Sequence, residues 1–504
     1  MTIHARHHHV QDQQVRVVSL HELQGLFTIS CAQAQETGVT ERHVDHVRDG
    51  VVVFGNHDLF QEHRIALLIP RGKPEFVLDP AVETTTLDNG LAVTTVPLPH
   101  LHTAVCALFV KVGSRFETPE DNGLSHFTEH MLFRGTERYP TSLALNTAVE
   151  QLGSTLHAET GRDYSLYQLA LEPELVGDAI GVLGELIGSP RFDDIELERR
   201  LILEEINEDY DEHGVEINVD DIARGLIFAN HPLGQRIIGP KSNVEKFSLA
   251  DVRRHHSTFY GARNANLCIA GPVTHQQVVA QAQRALAAMP AGHRAQVPTA
   301  PAFHGGPILE HVKDAGSQTA LSVVFRAVPE LDPAYISLVA LLRVLDDGMS
   351  TRLHYTLADQ KGLAYSVHAA IEPLADTALF EISSATANNK VPTLVRELLI
   401  LLDQLRAGKI TDDELAKVRV RYRYETLASI DDAASMAGWF GGTALYYEPP
   451  SLSRRLEQMA QVRVEDLKAV AEHVLSPKNL VVAAVGSLSR ARLGELRSVI
   501  QDWS

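Results

Sequence analysis

The 504-residue chain is 44% hydrophobic, enough to bury substantial cores, and its length suggests about three domains. A formal net charge of −19 excludes an ordinary nucleic-acid partner, because binding phosphate needs clustered Lys and Arg. Three cysteines far apart, Cys31, Cys106 and Cys268, exclude a disulfide framework and a Cys-x-x-Cys metal knuckle.

No apolar run reaches membrane-spanning length, so no membrane span is expected. The N-terminus has a His7–His9 cluster but no apolar signal core behind it, which predicts a solvated tail and a cytoplasmic location. Residues 1–80 carry short apolar runs, Val51–Phe54 and Ala66–Ile69, and are read as an N-terminal extension of unassigned role.

From about residue 83 the pattern sharpens. Thr84–Leu87, the turn Asp88-Asn89-Gly90 and Leu91–Val96 predict a hairpin, with a third strand at Ala104–Val112. Asp121-Asn122 reads as the cap of a helix that follows. A helix near Leu143–Leu152 precedes strands at Ser154–Ala158 and Tyr164–Leu171. Helices are expected near Glu174–Ile187, Asp194–Tyr210, Val219–Phe228 and Leu249–Phe259, then a buried strand at Ala265–Ala270 and a helix at His275–Ala288. Pro290 to Pro307, with four Pro and three Gly, reads as a linker.

After the linker the pattern restarts. Asp466-Leu467, Asn479-Leu480 and Gly486 parallel Asp251-Val252, Asn266-Leu267 and Gly271, 213 to 215 residues earlier. Val367-His368-Ala369 parallels Leu156-His157-Ala158, 211 residues apart. A near-constant offset predicts an internal duplication: one half over residues 81–289, a linker over 290–307 and a second half over 308–504. Mixed strands and helices with adjacent hairpins predict an α+β fold, each half an antiparallel-rich β-sheet with helices packed on one face.

The chemistry concentrates in Gly123-Leu124-Ser125-His126-Phe127-Thr128-Glu129-His130-Met131-Leu132-Phe133. As a helix it places His126, Glu129 and His130 on one face, while Leu124, Phe127 and Met131 can anchor another in a core. Two imidazoles four residues apart can grip one metal ion, and a carboxylate beside them can act on water bound to it. This is the inverted His-x-x-Glu-His order. The second half has no such motif, so one copy bears the metal and the other serves as wall.

A second element lies downstream in Glu196–Glu208. Glu198 and Glu205, seven residues apart, share a helix face, whereas Glu204 points away by about 100°. The acidic run Glu204-Glu205, Glu208-Asp209 and Asp211-Glu212 reads chiefly as a solvated helix end, with a preference for substrates bearing Arg or Lys as the sharper alternative.

The two elements together resemble the insulinase, pitrilysin and mitochondrial-processing-peptidase family of zinc metallopeptidases, in which His-x-x-Glu-His is followed about 75 residues later by Glu, with another Glu seven before it. Here His130 and Glu205 are 75 apart, and the flanking run 123–136 and Gly362-Leu363-Ala364-Tyr365 are also similar to the family. The resemblance covers about residues 83–504 and is closest in size to the two-domain, processing-peptidase-like branch.

The resemblance implies a zinc endopeptidase in which His126, His130 and Glu205 coordinate Zn2+, Glu129 is the general base, and Glu198 supports a ligand from behind. It implies that the strand around His157 and Ala158 holds an extended peptide, although the family usually has Asn where this chain has His157. It gives Tyr365 a catalytic role at the scissile carbonyl. The family pattern also has Arg seven residues before that tyrosine, where this chain has Ala358. Either a partner subunit in a homo- or heterodimer supplies the Arg, or a nearby cation such as Lys361 substitutes. The alternative of another class is a non-catalytic scaffold subunit, which relatives of this fold usually reach by losing the zinc residues.

Overall fold

The computed structural model describes residues 78–504, so the N-terminal extension lies almost wholly outside the described residues. The first sheet contains β1 (Glu83–Thr86), β2 (Ala92–Pro97), β3 (Ala104–Val110), β4 (His157–Thr160), β5 (Ser165–Leu171) and β6 (Ala265–Gly271), in the order β1-β2-β6-β3-β5-β4. The second contains β7 (Ile308–Val312), β8 (Gln318–Ala327), β9 (Ser366–Pro373), β10 (Ala378–Ala387) and β11 (Leu480–Val485), in the order β7-β11-β8-β10-β9. Pairing is antiparallel except for β2 with β6 and β7 with β11, which are parallel. The two sheets repeat one topology, with β6 and β11 inserted at the same place.

The strand period of two explains how the cores divide. In β3, Ala104, Cys106, Leu108 and Val110 enter one core, whereas Val105, Ala107 and Phe109 enter another on the opposite face. In β11, Leu480, Val482 and Ala484 likewise face one core and Val481 and Ala483 a second. Strands apolar on both faces belong in the middle of covered sheets, and β3 and β11 are buried along their whole length.

In the first half α1 (Leu124–Leu132), α2 (Ser142–Glu150), α3 (Val176–Gly188), α4 (Ile195–Asn207), α5 (Val219–Phe228), α6 (Lys241–Val244), α7 (Leu249–Phe259) and α8 (His275–Leu286) follow in order. The second half contributes α9 (Tyr335–Leu345), α10 (Val391–Arg406), α11 (Asp412–Ser429), α12 (Ala433–Ala437), α13 (Leu452–Gln461), α14 (Val464–Val474) and α15 (Arg490–Gln501). Most helices of each half gather on one face of its own sheet, through Ile180, Ile202 and Val252 in the first and Leu341, Leu398 and Val470 in the second.

The opposite faces are covered by exchange. Ala223, Ile227 and Phe228 of α5 pack on Val324, Leu379, Val481 and Ala483 of the second sheet. Ala433, Met436, Ala437 and Phe440 pack on Val105, Ala107, Phe109 and Cys268 of the first. Each half therefore closes the core of the other. A buried charged knot adds to this tie: Arg115, wholly enclosed, donates to Asp163 (3.1 Å), to Asp376 and to the Pro298 carbonyl (2.7 Å), and Asp163 accepts from the Ala375 amide (2.6 Å). The stretch 290–307 contains no helix or strand.

The duplication extends to the hydrogen bonds of one pair of asparagine amides, with one correction to the sequence alignment. Asn479 corresponds to Asn264, 215 residues earlier, and not to Asn266. Asn264 Nδ2 donates to the carbonyls of Phe259 and Lys111, and Asn479 Nδ2 to those of Val474 and Arg326, each also 215 residues on. Both amides close the turn from a helix into the central strand. Asn266 instead reaches across to the Gly441 carbonyl at 2.8 Å, which ties the exchanged segment to the sheet.

Phe228→Ala removes a fully enclosed ring contributed by one half to the core of the other. A loss of about 3–5 kcal/mol is expected, and calorimetry should show both halves melting earlier in one transition. Two separate transitions, only one of them shifted, would contradict the exchange.

Candidate metal centre

Helix α1 is anchored as its spacing requires: Leu124, Phe127 and Met131 are all fully buried in the first-half core. Its N-terminus is held differently from the expectation. Neither Asp121 nor Asn122 is the cap; the cap position is Gly123, in the left-handed region at φ 99°, with no side chain to accept. The acceptor comes from Glu117, whose buried carboxylate takes the amides of Gly123 (2.9 Å) and Ser125 (2.6 Å) and the Asn122 side chain (3.0 Å). A carboxylate at a helix N-terminus meets both the orphan donors and the positive end of the dipole.

Helix α4 buries Glu198, Ile202 and Ile206. This sets Glu198 and Glu205 toward α1, as their spacing of seven residues implies. His126 Nε2 lies 3.6 Å from Glu205 Oε1 and His130 Nε2 lies 3.7 Å from Glu205 Oε2. The three ligand atoms all fall within 4.8 Å of one another. Ligands on bonds of about 2 Å around a tetrahedral ion stand about 3.3 Å apart, so the three groups stand near, and somewhat wider than, the span of a small divalent cation. The donor set of two imidazoles and one carboxylate suits such an ion, and Glu205, 48% exposed, leaves the group open on one side.

The two imidazoles are shifted in opposite directions. Burial, reinforced by the neighbouring His130 charge, pushes His126 down to about 3, so its imidazole is neutral. For His130 burial pulls downward, but the Glu198 hydrogen bond and the surrounding carboxylates outweigh it and raise the pKa. His130 Nδ1 lies 3.1 Å from Glu198 Oε2, a contact that fixes the ring with Nε2 turned to Glu205. Glu198 is buried, which raises its pKa, yet the hydrogen bonds from His130 and Arg134 and the Arg134 charge hold it below its ordinary value. Arg134 was not singled out from sequence, although it stands one helical turn beyond His130.

Glu129 sits beside the two imidazoles on α1. Burial raises its pKa, opposed by a hydrogen bond from the Thr160 hydroxyl and by His130. Thr160 became visible only with the structure, because β4 runs from His157 to Thr160 where the sequence suggested Ser154–Ala158. His157 is exposed and Ala158 half-buried on β4, the outermost strand of the first sheet among the described residues.

The second half places its candidates elsewhere. Ala358 lies in a π-helical turn, His354–Gln360. Tyr365 is 96% exposed ahead of β9, and no hydrogen bond among the described residues joins it to the cluster. Lys361 is engaged by Glu397 at 2.7 Å. The acidic run is largely used internally: Asp209 pairs with Arg236, Asp211 accepts the amides of His213 and Val215, and Glu212 faces His213.

The family profile described as Insulinase (Peptidase family M16) matches residues 93–241, and that described as Peptidase M16 inactive domain matches residues 246–421. An uncharacterized zinc protease of Mycobacterium tuberculosis is 30% identical over 427 residues, which span 81% of this chain and 94% of that protein. A probable mitochondrial-processing peptidase subunit beta of Schizosaccharomyces pombe is 28% identical over 430 residues, 81% of this chain and 92% of the relative. A crystal structure of a protease from Helicobacter pylori superposes with a TM-score of 0.74 at 22% identity, over 81% of this chain and all of that one, a likeness of fold. No helix among the described residues is long and apolar enough to cross a membrane.

Glu117→Ala strips the acceptor from the buried first turn of α1. At about 1–3 kcal/mol for each buried donor left unmade, thermal unfolding should fall by several degrees, with divalent-metal uptake weakened in step. Unchanged melting and uptake would show that the carboxylate is idle.

Proposed function

The chain belongs to the insulinase family, peptidase family M16, and on that premise we propose that it is a zinc-dependent endopeptidase acting on peptides or unfolded segments. The observation that carries the reading is the convergence of His126, His130 and Glu205, from two helices, with Glu129 alongside. His126, His130 and Glu205 would hold Zn2+, with a fourth position left open. When bound, zinc supplies a Lewis acid that acidifies water and polarises a carbonyl.

The chain's own residues do the rest. Glu129 takes the proton of the attacking water and delivers it to the leaving amine, a task suited by a carboxylate whose pKa burial has raised. The Thr160 hydroxyl donates to Glu129 and orients it. Glu198 accepts from His130 and holds that ring with Nε2 forward. The outer edge of β4, carrying His157 and Ala158, offers main-chain groups to which an extended peptide can add as a further strand.

The positive group that would stabilise the scissile oxyanion comes from another chain in this reading. Ala358 carries no charge, Lys361 is held by Glu397, and Tyr365 projects into solvent. A homo- or heterodimer whose second member presents an Arg answers that need. The resemblance of the chain to a processing-peptidase beta subunit supports the heterodimeric form.

Glu129→Gln should retain zinc at one ion per chain while peptide hydrolysis falls about 10²–10⁴-fold, read by elemental analysis beside a fluorogenic peptide assay. Hydrolysis at the wild-type rate would refute the mechanism. Lys361→Ala should leave peptide cleavage unaltered, whether by the chain alone or with its partner; a collapse of cleavage would make Lys361 the substitute cation and remove the need for a partner.

A further inference from the structure

The metal reading leaves open what fixes the distance between α1, which carries two ligands, and α4, which carries the third. The side chain of Arg236 is enclosed beside the segment that leaves α4. Nη2 donates to Asp209, Nη1 donates to the Tyr210 hydroxyl at 2.6 Å, and the guanidinium lies 5.0 Å from the centre of the Tyr210 ring. Its Nε stands 3.6 Å from Glu216 and 3.5 Å from Asp221. Asp209, Tyr210 and Glu216 belong to the loop that begins four residues after Glu205, Asp221 to the first turn of α5, and the loop is closed on itself by Ile217 N to Asp209 O (2.8 Å) and Asp211 N to Val215 O (2.9 Å).

The main chain of the same residue holds the other helix. The Arg236 carbonyl accepts from Asn122 Nδ2 at 2.7 Å, and that amide also donates to Glu117, the carboxylate that caps α1. The contact is close along its length. A Cβ on Gly123 would stand 2.6 Å from the Ile238 carbonyl, and one on Gly239 2.4 Å from the Asn122 carbonyl, with both glycines at positive φ. A side chain at either glycine would push the strap 236–239 away from the start of α1.

We propose that Arg236 is a positioning residue for the metal centre: its guanidinium grips the segment that leaves α4 and its carbonyl the start of α1, so that Glu205 meets His126 and His130 at ligand distance. The inference rests on the metal reading above. A guanidinium suits the task because its planar fork engages Asp209 and Tyr210 together while neutralising Glu216 and Asp221. Without it three carboxylates face one another, with Arg162 reaching only Asp221 (3.1 Å), and repulsion would spread the loop that continues from the third ligand.

The test is metal affinity in the full-length protein, measured by chelator competition with Zn2+ and with Co2+, whose visible absorption reports coordination geometry. R236Q is expected to weaken both ions about 10–100-fold, and Y210F, which removes one hydrogen bond and keeps the ring, about tenfold. Both variants should show altered cobalt spectra with the circular dichroism of the metal-free protein preserved. Wild-type affinity and spectrum in both variants would overturn the assignment. Should R236Q fail to fold, Y210F decides alone. A wild-type chain that takes up neither ion would refute the metal reading itself, an outcome distinct from a metal-binding wild type with indifferent variants.

Discussion

The site depends on two helices being unable to rotate. His126, Glu129 and His130 face Glu198 and Glu205 only because the other faces of α1 and α4 are locked in a single apolar core, through Leu124, Phe127 and Met131 on one side and Ile202 and Ile206 on the other. Each such side chain contributes about 1.5–3 kcal/mol on burial, so a turn of either helix would expose several of them at once. A helix turned by one residue, about 100°, would put Phe127 where His126 stands. Apolar anchoring therefore specifies the polar geometry.

The same constraint accounts for the asymmetry between the halves. In the second half the helix that follows the long middle strand β8 is α9, Tyr-Ile-Ser-Leu-Val-Ala-Leu-Leu-Arg-Val-Leu, with Ile336, Leu338, Leu341, Val344 and Leu345 in the core. Where α1 turns a polar face toward a second helix, α9 is apolar over most of its surface and has no His or Glu. The second half could specialise in this way without unfolding the first, because each half supplies the helix that seals the other's sheet. Loss of the second half would expose Val105, Ala107 and Phe109 to water, so the duplicate is retained as structure.

Much of this was legible in the sequence because it is written at short range. The His-x-x-Glu-His face, the Glu198 and Glu205 pair, helix α7 and the apolar runs of β3 and β6 follow from periods of 3.6 and 2, which depend on neighbours only. What escaped reading depends on contacts between distant segments. Glu117 caps α1 from outside the helix, where Asp121-Asn122 offered the conventional signal. Thr160 matters because the turn at Gly153 delays β4 and brings its end to Glu129. The pairing of Asn479 with Asn264 was hidden by Asn266, which has the same side chain two residues away and a different partner. The exchange of α5 and α12 has no local signature, since an apolar helix face does not say which sheet it will cover.

The open side of the centre follows from how these constraints meet. Glu198 is sealed behind His130 by Arg134, and Glu117, Asn122 and the strap 236–239 close the start of α1. What stays accessible is Glu205, half-exposed at the end of α4, and the β4 edge with His157 exposed beyond Glu129. His126, His130 and Glu205 would hold an ion there, with the two imidazoles on the more enclosed side and Glu205 on the more open one. In the proposed reading an extended chain would add along β4, which the strand order places outermost, next to the strand end whose Thr160 donates to Glu129.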